Sequence, residues 1–344
     1  MNKGRVQLQS LTGLRGFAII LVLISHGADA GLLFSFLGEG FGKLGVMLFF
    51  ILSGYLMGML YYEKNFKSNI KEYLVARIAR IVPLFFFVVF FSYFTFKSYP
   101  SIRYDIANTS QLAMNLLFLN GTKELWTIPV EFQFYAFFIL TWSLSSYFNF
   151  SKRLVNSFLF VSVVISVAIS VYIKKEYGVP GQLNFCLHYF LAGVFLYVYR
   201  AKLELIYKFM VGKNFVFYFS LLTLLFSVFS IPSFRKLLGL YIPLWFDPII
   251  YIAMISFFLC SLYEISIWRF LNNRLLIFVG EISFGLYVYH SLVLYFLIDV
   301  LHGFNNQVLF FIMIVISLFI SILSLIYFEK PFSKVIRQNF LKRG

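Results

Sequence analysis

Apolar runs of about 20 residues alternate with short polar breaks along this chain, and no period-2 alternation appears within a run. A run of that length crosses a bilayer as a helix, because a barrel strand needs only about 10 residues and alternates. Ten such runs stand out, at approximately 13–33, 42–62, 80–97, 125–147, 154–173, 184–200, 214–231, 244–264, 275–299 and 307–328. The breaks carry turn residues, as at 97–100, 178–181, 231–233, 272–273 and 303–306. The pattern predicts an all-α integral membrane protein of about ten transmembrane helices. It forms a single transmembrane domain over 1–344 that ends in a short basic tail at 329–344.

Charge tests the count. With a cytoplasmic N-terminus, 20 of the 29 Lys and Arg residues fall in inside segments and 8 in outside segments, and Arg15 lies within the first span. That asymmetry follows the positive-inside rule and places both termini in the cytoplasm. One alternative concerns the start. Met1–Gln7 is basic, Phe17–Ile24 is apolar and Ala28-Asp29-Ala30 has the look of a cleavage site, as in a signal peptide. Arg15 and Gly16 make a long polar lead-in, and the helical pattern runs past Ala30 to Phe36, which favours a retained helix.

Composition closes off other classes. Of 344 residues, 61% are hydrophobic and 12% charged, where an ordinary globular domain carries about 25% charge. No soluble domain has an interior large enough for that much apolar surface. A net charge of +15 would point a soluble protein toward nucleic acid. Here the basic residues set topology and meet anionic lipid headgroups, and no nucleic-acid partner is expected. Cys186 and Cys260 stand far apart in apolar runs and read as small buried hydrophobes.

A charge inside a span is costly, so each one is a functional candidate. Arg15 and His26 in span 1 are eleven residues apart, which returns them to within about 20° of one helix face and about 16 Å along it. Arg15 serves either as a headgroup-snorkelling anchor or as an anion-binding group. Ser25 and Asp29 make a polar patch beside His26. Arg77 and Arg80 share a face at the cytoplasmic end of span 3, as topology anchors or as a phosphate clamp, because guanidinium binds phosphate bidentately. Gly42, Gly45, Gly54 and Gly58 recur along span 2, with Ser53 before Gly54, and close helix packing is the favoured reading. Trp126 suits the outer interface, and Glu131 lies about 7–8 Å below it. In span 9, Ser283, Tyr287 and His290 form one stripe. By depth, His26, Glu131 and His290 are expected to converge in the outer half of the membrane. No His-x-x-His or similar spacing supports a metal site, so none is expected.

Several segments resemble the membrane acyltransferase-3 family. Leu11-Thr12-Gly13-Leu14-Arg15-Gly16-Phe17-Ala18 followed by His26 is similar to its first-helix pairing of Arg and His. Phe49-Phe50-Ile51-Leu52-Ser53-Gly54-Tyr55 is similar to its second-helix signature, and Arg77-x-x-Arg80 to its third. Leu125 to Tyr135 looks like its W-[ST]-x-x-x-E-x-Q-[FY]-Y pattern, and Gly280 to His290 like its late G-x-x-S-[FY]-x-x-Y-x-x-H element. Glu329-Lys330-Pro331 is like the motif closing its last span. The six run in family order from 11 to 331. Phe132 departs from a common second Glu, and the stand-alone type, without the hydrolase-like C-terminal domain that some members carry, is the expected one.

The resemblance implies an integral-membrane O-acyltransferase of the surface-polysaccharide O-acetyltransferase type, in the bacterial inner membrane. Its donor would be acetyl-CoA or another acyl-CoA, and its acceptor a hydroxyl of a cell-surface glycan or lipid-linked sugar such as O-antigen or lipopolysaccharide. His26 is the expected base or acyl relay, with Glu131 and His290 as catalytic partners. Arg15, Arg77 and Arg80 would hold CoA phosphates, and Ser53, Trp126, Ser283 and Tyr287 would line the substrate. The alternative is a transporter or flippase of a lipid-linked sugar without acyl transfer.

Overall fold

The structure is a computed structural model. It describes residues 3–96, 104–146, 182–211, 231–239 and 244–341 apart from 302, with scattered residues of 157–172 and 218–225. Among the described residues there is no strand. The helices are α1 (Lys3–Asp29), α2 (Gly42–Tyr61), α3 (Phe66–Thr95), α4 (Thr109–Leu116), α5 (Thr127–Ser146), α6 (Gln182–Val198) and α7 (Arg200–Val211). They continue as α8 (Pro232–Leu237), α9 (Pro248–Leu262), α10 (Arg274–Glu281), α11 (Ser283–Val300), α12 (Asn306–Ser324) and α13 (Lys330–Leu341). A π turn, Leu325–Glu329, joins the last two.

Among the described residues, five segments are long and apolar enough to cross a membrane: Gln9–Asp29, Ser35–Tyr61, Phe66–Thr95, Ser283–Val300 and Asn306–Leu341. They answer to predicted spans 1, 2, 3, 9 and 10. Span 4 is the 20-residue helix α5, and spans 6 and 8 are the shorter apolar helices Leu183–Val198 and Pro248–Leu262. Spans 5 and 7 lie largely outside the described residues. Three boundaries differ from expectation. Helix α3 starts fourteen residues early, at Phe66, because the Asn65 side chain caps it by accepting from the Ser68 amide. It then runs through Pro83. Span 9 is two helices, broken at Ile282. Span 10 continues through the π turn to Leu341.

The chain divides into two units. The first is Met1–Gly58 with Tyr189–Ser283. Here α1 packs along α10 at backbone contact. A Cβ on Gly280 would sit 1.9 Å from the Thr12 carbonyl oxygen, and one on Gly16 2.1 Å from that of Leu276. Helices α2 and α6 approach as closely through Gly54 and Gly193, which supports the packing reading of the span 2 glycines. Rings fill the remainder: Phe50 stacks on Phe190 at 4.4 Å, and Phe17 on Phe257 at 5.2 Å.

The second unit is Met59–His188 with Phe284–Gly344. Its core is aromatic, with Tyr61, Tyr73, Phe138 and Trp142 in mutual ring contact. Phe132, the departure from the family pattern, stacks on Phe118 with centroids 4.0 Å apart. Helix α13 packs against α3.

Gly280→Ala therefore forces two backbones apart. Overpacking of this kind costs about 1–3 kcal/mol, more where backbone must move. The expected result is a lower melting temperature and reduced monodisperse yield in detergent.

Candidate functional site

The first unit carries Arg15, His26, Ser53 and Ser283. Arg15 is half-buried on α1. Its guanidinium donates to the Ser283 hydroxyl at 3.0 Å, and Ser283 Oγ donates in turn to the Gly280 carbonyl at 2.8 Å. The bond uses one of five guanidinium donors. Ser283 is buried and forms the first residue of α11 rather than the middle of a span. The stripe with Tyr287 and His290 therefore starts at a helix end.

His26 is half-buried near the C-terminal end of α1. Beside it, Ser25 Oγ donates to Asp29 at 3.4 Å, and Asp29 accepts the Glu39 amide at 2.8 Å, tying down the loop after α1. Ser53 is buried on α2, next to the Gly54 contact. Sequence reasoning missed a further pair in this unit. Arg235 bonds Asp247, both are buried, and Asp247 also caps α9 through the Ile249 amide. The Asp-Pro at 247–248 signals the cap but gives no hint of the cation.

The second unit carries Arg77, Arg80, Trp126, Glu131, Tyr287 and His290. The two arginines share a helix but not a setting. Arg77 is 8% exposed and lies over the Tyr135 ring, 5.4 Å from its centroid. The Tyr135 hydroxyl donates to Glu131 one turn earlier on α5, and Tyr73 donates to the Tyr135 carbonyl at 2.9 Å. Arg77, Tyr135 and Glu131 thus form one connected group. Tyr135 had no role assigned from sequence; its i, i+4 spacing from Glu131 was the available signal. Arg80 instead lines an open cavity of about 460 Å³ with Glu329, Lys330, Lys334 and Arg337. Sequence reasoning placed those three cations only as topology signals in the tail.

Trp126 closes the 3-10 turn Lys123–Trp126 just before α5. Tyr287 holds that turn: its hydroxyl donates to the Glu124 carbonyl at 2.6 Å and accepts from Thr127 at 2.9 Å. Gln133 does the same for the preceding loop, donating to the Phe118 carbonyl at 2.8 Å. His290 is fully buried. Its Nδ1 faces the carbonyls of Tyr287 and Leu286 at 2.8 and 3.0 Å, which only accept, so Nδ1 carries the proton. The Ser291 hydroxyl lies 3.1 Å from Nε2. Nearby, Tyr104 donates to the Val288 carbonyl at 2.6 Å, and burial pushes its phenol well above the ordinary value. His26 belongs to the first unit, and Glu131 and His290 to the second. Among the described residues, no group of three or more His, Cys, Asp or Glu is placed to hold a metal.

A family model described as an acyltransferase domain matches residues 8–326. The chain is 27% identical over 322 residues to the O-acetyltransferase OatA of Staphylococcus aureus (strain NCTC 8325 / PS 47), covering 84% of this chain and 51% of that protein. OatA of Staphylococcus aureus (strain COL) matches to the same extent. SACOL0978 of Staphylococcus aureus (strain COL) is 26% identical over 368 residues, covering 95% of this chain and 57% of that protein. The chain thus spans about half the length of these curated relatives. No solved structure matches.

The contrast between the two arginines is measurable as stability. Arg77→Ala removes a buried cation that Tyr135 and Glu131 are arranged around, at a cost on the order of 2–3 kcal/mol. Arg80→Ala opens onto a water-accessible cavity and stays within about 0.5 kcal/mol of wild type. Thermal unfolding of the two variants in the same detergent separates them.

Proposed function

The chain belongs to the acyltransferase-3 family, and we propose that it is a membrane O-acetyltransferase acting on a glycan hydroxyl. Acetyl-CoA or a related acyl-CoA is the donor, on the cytoplasmic side of a bacterial inner membrane. The acceptor is a cell-surface glycan or lipid-linked sugar. The observation that carries this reading is the family match over 8–326, joined by relatives named as O-acetyltransferases. Ten transmembrane helices with both termini inside belong to the same proposal. The 20-to-8 distribution of Lys and Arg supports that topology.

A sugar hydroxyl is a poor nucleophile, so transfer needs a base and a group that stabilises the developing oxyanion. His26 is the base or acyl relay, the side chain of this set best suited to take and return a proton. Its half-buried position beside Ser25 and Asp29 supports this. Glu131 supplies a carboxylate whose orientation is fixed by Tyr135, and Arg77 holds that pair in place. His290, with Nδ1 committed to backbone carbonyls, orients the acceptor side of α11 around Tyr287 and Trp126. Ser53 lines the acceptor path on α2. Arg80 and Arg15 meet the donor's anionic end, and the open cationic setting of Arg80 supports that role.

The test is turnover of acetyl-CoA by purified protein, followed as free CoA released and acetyl transferred to a sugar acceptor. His26→Ala is expected to lower transfer by about 10²–10⁴-fold, with the melting temperature unchanged. Wild-type rates in that variant would remove His26 from the chemistry. Glycan movement across vesicles without any acyl transfer would turn the reading toward a flippase.

A further inference from the structure

The cavity beside Arg80 has more cation than one arginine brings. Its walls are Ala79 and Arg80 of α3, Leu325 and Glu329 of the π turn, and one face of α13. On that helix Lys330, Lys334 and Arg337 recur at i, i+4 and i+7, which places all three on the side facing α3. Four cations therefore look into about 460 Å³ against one carboxylate, Glu329. That carboxylate accepts from Ser324 at 3.1 Å, and Ser324 in turn accepts from Tyr289 at 3.2 Å. Among the described residues, none of the four cations lies within 4 Å of a carboxylate. Like charges gathered in a concave site repel one another and raise the local concentration of an anion. The volume lies within the range of about 300–1,000 Å³ in which organic ligands are held.

We propose that this cavity is a polyphosphate site that holds the nucleotide end of the donor, with Lys330, Lys334 and Arg337 joining Arg80 as binding residues. The assignment rests on the acyl-CoA-dependent reading given above. Depth argues for several phosphates rather than one lipid headgroup. The helix from Asn306 to Leu341 has 36 residues and is about 54 Å long, against a hydrocarbon core of about 30 Å. Lys330 to Arg337 covers about 10 Å of axis and begins where the apolar run ends. A headgroup phosphate reaches only the near end of that ladder. A pyrophosphate together with a sugar phosphate, spaced along it, reaches all of it. The other side of α13 exposes Phe332 and Val335, which suit the membrane interface and keep the cationic face turned toward α3.

The experiment measures binding of coenzyme A, of 3′-dephospho-coenzyme A and of adenosine 3′,5′-bisphosphate to purified protein, by calorimetry, beside turnover of acetyl-CoA. Three forms are compared: wild type, Lys334→Glu/Arg337→Glu and the neutral Lys334→Gln/Arg337→Gln. The residues are exposed, so both variants should fold, and their melting curves check this. The expected result is at least tenfold weaker coenzyme A binding in the reversal variant and a smaller loss in the neutral one. KM for acetyl-CoA should rise in parallel while kcat at saturation is kept. The penalty should shrink for the 3′-dephospho form. Unchanged Kd and KM in both variants, with an active wild type, would overturn the cavity assignment and leave the acyltransferase reading intact. Wild type that binds the bisphosphate through these residues but turns over no acyl-CoA would overturn the enzyme reading alone. A second arm compares nanodiscs of neutral phosphatidylcholine with discs containing phosphatidylglycerol. Variants that alter lipid retention but not nucleotide affinity would make the cavity a headgroup site and sink the proposal.

Discussion

Contact between backbones, with no side chain between them, organises the first unit. In lipid there is no hydrophobic force to pull helices together, so attraction comes from close packing and from hydrogen bonds that water cannot contest. Gly13, Gly16 and Gly280 supply that packing where α1 meets the segment before the break at Ile282. Past that contact, span 9 does not run as a straight rod. It ends at Glu281, restarts at Ser283, and the carbonyl of the buried Gly280 accepts from the Ser283 hydroxyl. Arg15 then completes the arrangement from α1. The cation of the family's first-helix signature is thus held by the same junction that its neighbouring glycines create.

The second unit is built by a different rule. Its interior is crowded with rings, and several of its polar groups enter where a ring or a backbone group receives them. Arg77 lies on Tyr135, and Tyr135 reaches Glu131. Tyr287 and Gln133 pin the two ends of the segment that delivers Trp126 and α5. Burying these groups without partners would cost several kcal/mol each in hydrocarbon. The pairing is therefore as much a condition of folding as a preparation for chemistry.

How far the sequence disclosed this depends on the physics behind each signal. Span length is dictated by bilayer thickness, so the long helices around Arg15, Ser53, Arg77 and His290 were legible from hydropathy. Glycine recurrence in span 2 pointed correctly to packing at Gly54. The break at Ile282 was not legible, because hydropathy is continuous across it. The start of α3 at Phe66 was hidden for another reason: its first turns are polar and written in capping chemistry. Arg77 and Arg80 looked interchangeable because spacing reports a shared face but not what each side chain meets. The cations of the tail were counted for topology, and only the fold shows which of them share a cavity wall.

The π turn at Leu325–Glu329 has a consequence for phase. Along α12 the buried stripe steps through Leu309, Met313, Ser317, Ser321 and Ser324. Continued at 3.6 residues per turn, it would next meet Phe328, then Pro331, then Val335. The π turn accommodates one additional residue, which advances the stripe by about 100°. Beyond it, Glu329, Ser333 and Arg337 line the cavity beside α3, while Phe332 and Val335 are exposed. The turn thus separates an apolar helix that buries one stripe against the protein from an ending that lines its cavity with charge.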